Sequence, residues 1–106
     1  MINAIKNLFK GGSSPDYKGM LKNGAIIVDV RSKNEFAGGH INGSVNIPVD
    51  VLAANLEKLK DKNQPIITCC ASGIRSAAAK NILVSKGYRD VHNGGGWQSL
   101  NNKLNR

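Results

Sequence analysis

The sequence predicts an α/β domain in which a central, mostly parallel sheet is flanked by helices on both faces. Short apolar runs alternate with helical patterns of about 10–15 residues, an order typical of parallel sheets. Residues 25–30 are apolar at nearly every position, as expected for a strand that is buried on both faces. Aromatic residues make up only 5% of the 106 residues, so the core is expected to consist of Ile, Val, Leu and Ala.

Residues 1–13 are predicted to be a short amphipathic segment with a flexible joint, and residues 14–106 a single domain. Ile2, Ile5 and Leu8 are spaced as on one face of a helix, but Asn and Lys interrupt them. The segment lacks the unbroken apolar stretch of a signal peptide, and no stretch is long enough to span a membrane. We therefore expect a cytoplasmic protein with no stable membrane association.

Turn and capping residues separate the predicted elements of the domain. Ser14 and Pro15 are typical of a helix start, and Gly24 is typical of its end. Gly87 likewise predicts the end of a later helix. In chain order, the predicted elements are a helix ending before Gly24, strands over 25–30 and 44–47, a helix beginning at Asp50, a strand over 65–69, a helix over 76–84, a strand over 88–92, a loop over 93–96 and a short helix from Trp97.

The chain is basic, with a formal net charge of +8 from fifteen Lys and Arg against seven Asp and Glu. Such a charge attracts small anionic substrates, although a solvated basic surface explains it equally well. No run of five like charges occurs, and aromatic residues are not interleaved with the basic ones. We therefore expect no binding to nucleic acid.

Two cysteines, Cys69 and Cys70, are adjacent in the sequence. Neighbouring residues rarely form a disulfide, because the required geometry strains the peptide between them. Free thiols favour a reducing compartment, and no Cys and His spacing indicates a metal site. Cys69 continues the strand over 65–69 and is expected to point into the core.

The segment that follows this strand carries the candidate chemistry, since ligands of parallel sheets bind at the carboxyl ends of the strands. A short loop runs from Cys70 to Arg75, and a helix is predicted from Ser76. Inward-pointing N–H groups and the helix N-terminus then form an anion site, in which a Cys70 thiolate has a lowered pKa. Arg75 is expected to offer its donors to an anionic substrate. The predicted cradle consists of Ala71, Ser72, Gly73, Ile74, Arg75 and Ser76.

The loop and three other segments resemble one known family. The segment from Cys70 to Ser76 is similar to the active-site loop of rhodanese-like sulfurtransferases, in which Cys, Gly and Arg recur at these spacings. Residues 28–31 with Glu35 and Phe36, residues 39–48, and Gly94-Gly95 with Trp97 resemble further motifs of that family, in the same order. Ser44 stands where the family usually has Ala. The resemblance covers about residues 16–104.

The resemblance implies a thiosulfate sulfurtransferase. The Cys70 thiolate would attack the outer sulfur of thiosulfate, sulfite would leave, and the Cys70 persulfide would pass its sulfur to a thiol or to cyanide. The implied partners are a small anionic sulfur donor and a thiol acceptor, and no metal or organic cofactor is implied. We expect a monomer or a weak dimer.

Three alternatives compete with this interpretation. A binding or regulatory module of the same fold would be expected to lack the cysteine, and a thiol redox protein would be expected to carry Cys-x-x-Cys. Related phosphatases carry five residues between Cys and Arg, whereas four separate Cys70 from Arg75. The shorter loop favours sulfur over the phosphoryl group.

Several residues are predicted to support the site. Asp29 and Arg31 either position the loop or, as we favour, form a salt-bridged framework with Glu35. His40 is expected to tie its loop to the sheet rather than to shuttle protons, and Trp97 to fill the core rather than to line a pocket. The Ser72 hydroxyl binds substrate or stabilises the turn, and the glycines over 94–96 are expected to let the backbone pass close to the active loop.

Overall fold

A computed structural model describes residues 15–106, and its sheet contains four parallel strands. The amphipathic segment and joint predicted over 1–13, together with Ser14, lie outside the described residues. The strands are β1 (Ile26–Asp29), β2 (Val45–Asn46), β3 (Ile66–Cys70) and β4 (Val91–Gly96). The helices are α1 (Tyr17–Lys22), α2 (Lys33–Ala37), α3 (Ile74–Ser85) and α4 (Trp97–Leu104), with the 3₁₀ helices η1 (Val49–Ala54) and η2 (Leu56–Lys58).

The strand order β2-β1-β3-β4 confirms the predicted parallel sheet. Side chains alternate between its faces, because successive residues of a strand point in opposite directions. Ile66 and Cys70 of β3 belong to one buried cluster, with Leu52 of η1 and Leu83 of α3. Ile67 and Cys69 of the same strand belong to a second cluster, with Tyr17 of α1 and Leu100 of α4. Helices therefore cover both faces, as predicted.

The helix predicted from Asp50 is instead two 3₁₀ segments, η1 and η2, separated by Asn55. The backbone of Asn55 is not helical, with φ −128° and ψ 38°. Its side-chain amide donates to the carbonyl of Val51 at 2.8 Å. An Asn side chain that bonds to the nearby backbone competes with helix hydrogen bonds, which explains why no continuous α-helix forms.

The segment over 93–96, predicted to be a loop, continues strand β4. A Cβ at Gly94 would lie 2.8 Å from Ile67 and 2.9 Å from the carbonyl of Thr68, so only glycine allows β4 to approach β3 this closely. The sequence did not predict this part of the strand, because glycines have no side chains and their run shows no alternation of apolar and polar residues.

Helix boundaries also differ from the predictions. Asp16 rather than Ser14 caps α1, because its side chain accepts the N–H of Gly19 at 3.1 Å. The short helix α2 was not predicted, although Ser32 and Glu35 form a capping box there. Helix α3 begins at Ile74, two residues earlier than expected.

None of the described helices is long and apolar enough to cross a membrane.

Candidate active site

Cys70 is the last residue of β3, not the first residue of the following loop as predicted. The residue is fully buried, and its sulfur lies beneath the turn into α3. The N–H of Gly73 donates to Sγ at 2.9 Å, and the N–H of Ser76 donates at 3.4 Å. The Ser76 hydroxyl also lies 3.4 Å from Sγ. Of the residues of the predicted cradle, Gly73 and Ser76 therefore donate to the sulfur through their N–H groups.

These donors lower the pKa of the Cys70 thiol below its usual value. Burial acts in the opposite direction and is the largest single influence. Hydrogen bonds from the hydroxyl and N–H of Ser76 and from the N–H groups of Gly73 and Ser72 together outweigh burial, because they stabilise the charged form. The direction of this shift favours the thiolate form of Cys70.

The loop keeps its shape through glycine. Gly73 has φ +102°, a left-handed conformation that side chains rarely adopt, and it precedes α3 directly. A Cβ at Gly73 would lie 3.4 Å from Cα of Gly95, and one at Gly96 would lie 3.0 Å from the carbonyl of Ala71. The glycine run of β4 therefore packs directly against the loop, as the sequence predicted. The loop residues Ala71, Ser72 and Ile74 are exposed, Ile74 by 79%.

Arg75 does not present its guanidinium to Cys70 as an open anion site. Its Nη1 and Nη2 donate to the two carboxylate oxygens of Glu35 at 2.7 and 3.0 Å. Arg75 lowers the pKa of Glu35, which falls to about 2, with a further contribution from the N–H and hydroxyl of Ser32. The Arg75 side chain therefore joins α3 to α2, and its predicted role as a donor to an anionic substrate stays a prediction.

Asp29 and Arg31 form the predicted ion pair, buried at the carboxyl end of β1. Arg31 Nη2 lies 2.7 Å from Asp29 Oδ2, and Nε donates to both carboxylate oxygens. Glu35 joins this framework through its backbone carbonyl, at 3.3 Å from Arg31 Nη1, and not through its carboxylate. The guanidinium also donates to the carbonyl of Gly39 and lies 4.7 Å from the ring centre of Trp97. The pair therefore holds the segments around the site.

His40 and Trp97 both have supporting positions. His40 is exposed, its Nδ1 lies 2.7 Å from the carbonyl of Phe36, and its ring stacks on Phe36. It is tied to α2, not to the sheet as predicted. Trp97 packs against the second buried cluster, which agrees with its predicted role as a core residue.

The side chains of Cys69 and Cys70 lie on opposite faces of the sheet. Cys69 is fully buried in the cluster with Tyr17 and Leu100, as predicted. Burial raises the pKa of Cys69 to about 12, and the nearby Asp29 carboxylate contributes to the increase. The two sulfurs point to opposite faces, so they do not act as a pair.

Asn93, in β4, is a part of the site that the sequence analysis missed. Its Oδ1 accepts the Ser76 hydroxyl at 2.6 Å and the N–H of Gly95 at 2.9 Å. Its Nδ2 lies 3.3 Å from the carbonyl of Gly73. The one sequence feature that could have pointed to Asn93 is its position ahead of the glycine run, and an Asn in that position on its own indicates only a turn.

A groove of about 650 Å³ lies beside Arg75, between β1, β2 and η1. We call it the β1–η1 groove. Val30 and Ile47, which line it, also belong to the buried cluster that contains Cys70. The cations Lys33 and Lys58 line the groove as well. Its remaining lining residues are Ser32, Asn46, Pro48, Val49, Asp50, Val51, Asn55 and Arg75.

Comparison with known proteins gives consistent matches. The model of the family described as the rhodanese-like domain matches residues 13–103. The thiosulfate sulfurtransferase GlpE of Pseudomonas fluorescens is 36% identical over 69 residues, which are 65% of this chain and 62% of that protein. The chain spans between half and two thirds of the length of the first curated relatives that it matches.

Two solved structures extend the comparison to the fold. A rhodanese with anions from E. coli superposes with a TM-score of 0.67 at 32% identity, covering 70% of this chain and 88% of that one. The human single-domain sulfurtransferase TSTD1 superposes with a TM-score of 0.69 at 28% identity, covering 79% and 88%. The similarity to this family therefore extends from the sequence to the fold.

Proposed function

Because the chain belongs to the rhodanese-like domain family, we propose that it is a sulfurtransferase. In this proposal Cys70 takes a sulfane sulfur from thiosulfate or a related anionic donor and passes it to a thiol or to cyanide. The observation that carries the proposal is the buried Cys70 sulfur, which accepts hydrogen bonds from the N–H groups of Gly73 and Ser76. Two N–H groups aimed at one sulfur stabilise a negative charge there and favour the reactive thiolate form.

The reaction proceeds in two displacements. The Cys70 thiolate attacks the outer sulfur of thiosulfate, the sulfur–sulfur bond of the donor breaks, and sulfite leaves with the bonding electron pair. An acceptor thiolate then attacks the outer sulfur of the persulfide, and Cys70 leaves as a thiolate. The first product departs before the second substrate reacts, so the kinetics are expected to be ping-pong. Neither step uses a metal or an organic cofactor.

Access to the sulfur requires a movement, because Cys70 is fully buried. Ala71 and Ser72 are exposed, and their segment of the loop has no regular secondary structure. Displacement of this segment uncovers the sulfur without disturbing β3. We propose that the donor reaches Cys70 in this opened state.

The β1–η1 groove supports a small organic thiol as the acceptor. Its volume of about 650 Å³ is far larger than thiosulfate needs. Lys33 and Lys58 attract an anionic ligand through their positive charge, and the net charge of +8 acts in the same direction. Asp50 is the groove's one acidic lining residue among the described residues. The thiol acceptor is therefore expected to be anionic.

An intact mass after incubation with thiosulfate tests the proposal. Wild type is expected to gain one sulfur atom, as is Cys69→Ser, whereas Cys70→Ser is expected to gain none. Wild-type protein that stays unmodified over the same incubation would sink the proposal. Loss of two hydrogen atoms under a mild oxidant would instead support a thiol redox protein, against which the opposite orientation of the two sulfurs argues.

The setting of the reaction follows from the same chemistry. A protein with two free thiols is expected to work in a reducing compartment such as the cytoplasm. We propose that it acts as a monomer or weak dimer without nucleic acid. Sedimentation at micromolar concentration and a filter-binding assay at physiological salt test these two points, and a stable dimer or retained nucleic acid would contradict them.

A further inference from the structure

Ser76 has one hydroxyl proton and three possible acceptors. Asn93 Oδ1 lies 2.6 Å from Ser76 Oγ, the carbonyl of Gly73 lies at 3.0 Å, and the Cys70 sulfur lies at 3.4 Å. A hydroxyl donates to one acceptor at a time. The protonation state of Cys70 is therefore linked to which of the three acceptors receives the hydrogen bond from the Ser76 hydroxyl.

While Cys70 is a neutral thiol, the geometry favours Asn93. The carbonyl of Gly73 already accepts the N–H of Ala77 at 3.0 Å and faces Nδ2 of Asn93 at 3.3 Å. Asn93 Oδ1 is the closest acceptor of the three. The Cys70 thiol then donates its own proton to Ser76 Oγ.

The orientation of the Asn93 amide is determined by its neighbours. Oδ1 accepts the N–H of Gly95 at 2.9 Å, and Nδ2 faces the carbonyl of Gly73. In a flipped amide, Nδ2 would face the N–H of Gly95, which is also a donor, and Oδ1 would face the carbonyl of Gly73, which is also an acceptor. Asn93 therefore presents an oxygen to Ser76, and that oxygen can only accept.

When Cys70 becomes a thiolate, the balance of acceptors changes. A charged sulfur is a stronger acceptor than a neutral amide oxygen. Rotation of the Ser76 hydroxyl toward Sγ leaves Asn93 Oδ1 with the N–H of Gly95, so no buried group loses its only partner. The Ser76 proton stays on Ser76 throughout, and the Cys70 proton passes to solvent when the segment of Ala71 and Ser72 opens.

We propose that Asn93 is a positioning residue that withholds the Ser76 hydroxyl from Cys70 in the thiol form and releases it when negative charge develops on the sulfur. Asn93 stabilises the resting thiol, and Ser76 stabilises the thiolate. Asn93 thus sets how readily the nucleophile forms. The inference rests on the proposed function only in taking Cys70 as the nucleophile.

Other charged and titratable groups near the sulfur do not replace this arrangement. Arg75, on α3, is paired with Glu35 of α2. Cys69, on β3, has its pKa raised to about 12 and stays neutral below that pH. Asp29 and Arg31, at the end of β1, neutralise each other. The Asn93 and Ser76 pair is therefore the local control of thiolate formation.

The test is a pH titration of the Cys70 thiolate by its ultraviolet absorbance, with Cys70→Ser as the blank, and by its rate of alkylation. Asn93→Ala removes the competing acceptor, so the midpoint is expected to move to lower pH. The alkylation rate at acidic pH then rises about threefold, because a larger thiolate fraction is partly offset by lower nucleophilicity. Asn93→Asp adds a negative charge and a stronger acceptor, so the midpoint is expected to move to higher pH.

The downward shift in Asn93→Ala separates positioning from structural support, since a loosened loop would withdraw N–H donors from the sulfur and move the midpoint to higher pH. In a Ser76→Ala background, Asn93→Ala is expected to leave the midpoint unchanged. Shifts of the same sign, or a shift that persists without Ser76, would overturn the inference. The titration needs no sulfur transfer, so a protein that forms no persulfide would defeat the proposed function while leaving this test valid.

Discussion

Glu35 and Arg75 form a two-point ion pair that joins helices α2 and α3 at the mouth of the site, with N···O distances of 2.7 and 3.0 Å. The residues are 40 positions apart in the chain. Because the guanidinium is paired with Glu35, the donors that face the Cys70 sulfur are the N–H groups of Gly73 and Ser76. The pair joins the first turn of α3 to α2.

Replacement of Glu35 by Gln is expected to weaken the fold in a pH-dependent way. The pKa of Glu35 falls from its usual 4.5 to about 2, so its stabilising effect is present above pH 4.5 and is lost as pH falls toward 2. The melting temperatures of wild type and Glu35→Gln are therefore expected to differ at pH 6 and to converge near pH 2. The difference is expected to be small, because each side chain is 38% exposed.

The same variant frees the Arg75 guanidinium for an anionic donor. The KM for thiosulfate is expected to fall in Glu35→Gln while kcat changes little. Glu57→Gln, at an exposed glutamate of η2, is the matched control for the loss of one negative charge. An equal fall in KM in both variants would attribute the effect to net charge and not to Arg75.

Replacement of Asp29 by Ala is expected to destabilise the fold strongly. Arg31 is only 4% exposed and would lose its counter-charge. Removal of one partner of a buried pair costs about 3–5 kcal/mol, because the other charge remains buried without compensation. Urea unfolding measures this loss, and exposed Asp50→Ala is the control, with an expected change within about 0.5 kcal/mol. Similar values for both variants would show that the pair is not important for stability.

Replacement of Gly94 by Ala is expected to destabilise the contact between β3 and β4. The added Cβ would lie 2.8 Å from Ile67 and 2.9 Å from a backbone oxygen, and overpacking of this kind costs about 1–3 kcal/mol. Gly38→Ala is the matched control, since Gly38 has φ −77° and its nearest neighbour would lie 3.5 Å away. Denaturant midpoints compare the two, and equal midpoints would contradict the close approach.

Replacement of Cys69 by Ala is expected to change stability at alkaline pH without changing the reactivity of Cys70. Burial raises the pKa of Cys69 from 9.0 to about 12, so the unfolded chain releases this proton first. Wild type therefore loses stability as pH rises from 9 toward 12, and that part of the loss is absent in Cys69→Ala. Melting curves at pH 8 and pH 10 measure the effect. An altered alkylation rate of Cys70 in the variant would show that the two sites are coupled.

Much of the fold follows from local sequence signals. Apolar runs predicted the strands around Ile27 and Ile67, and Gly87 predicted the end of α3. The segments that departed from prediction lack such a signal or carry a competing one. The glycines of β4 show no alternation of apolar and polar residues. Asn55 ends η1, and its side-chain amide bonds to the carbonyl of Val51.

The sequence by itself predicted the candidate nucleophile, the donors of its loop and the assignment of Cys69 to the core, because each depends on neighbours along the chain. The tertiary structure alone decided that Arg75 pairs with Glu35 and that Asn93 accepts the Ser76 hydroxyl. Those partners lie 40 and 17 residues apart. They meet because parallel strands bring their carboxyl ends to one edge of the sheet, an arrangement that depends on the packing of the whole domain.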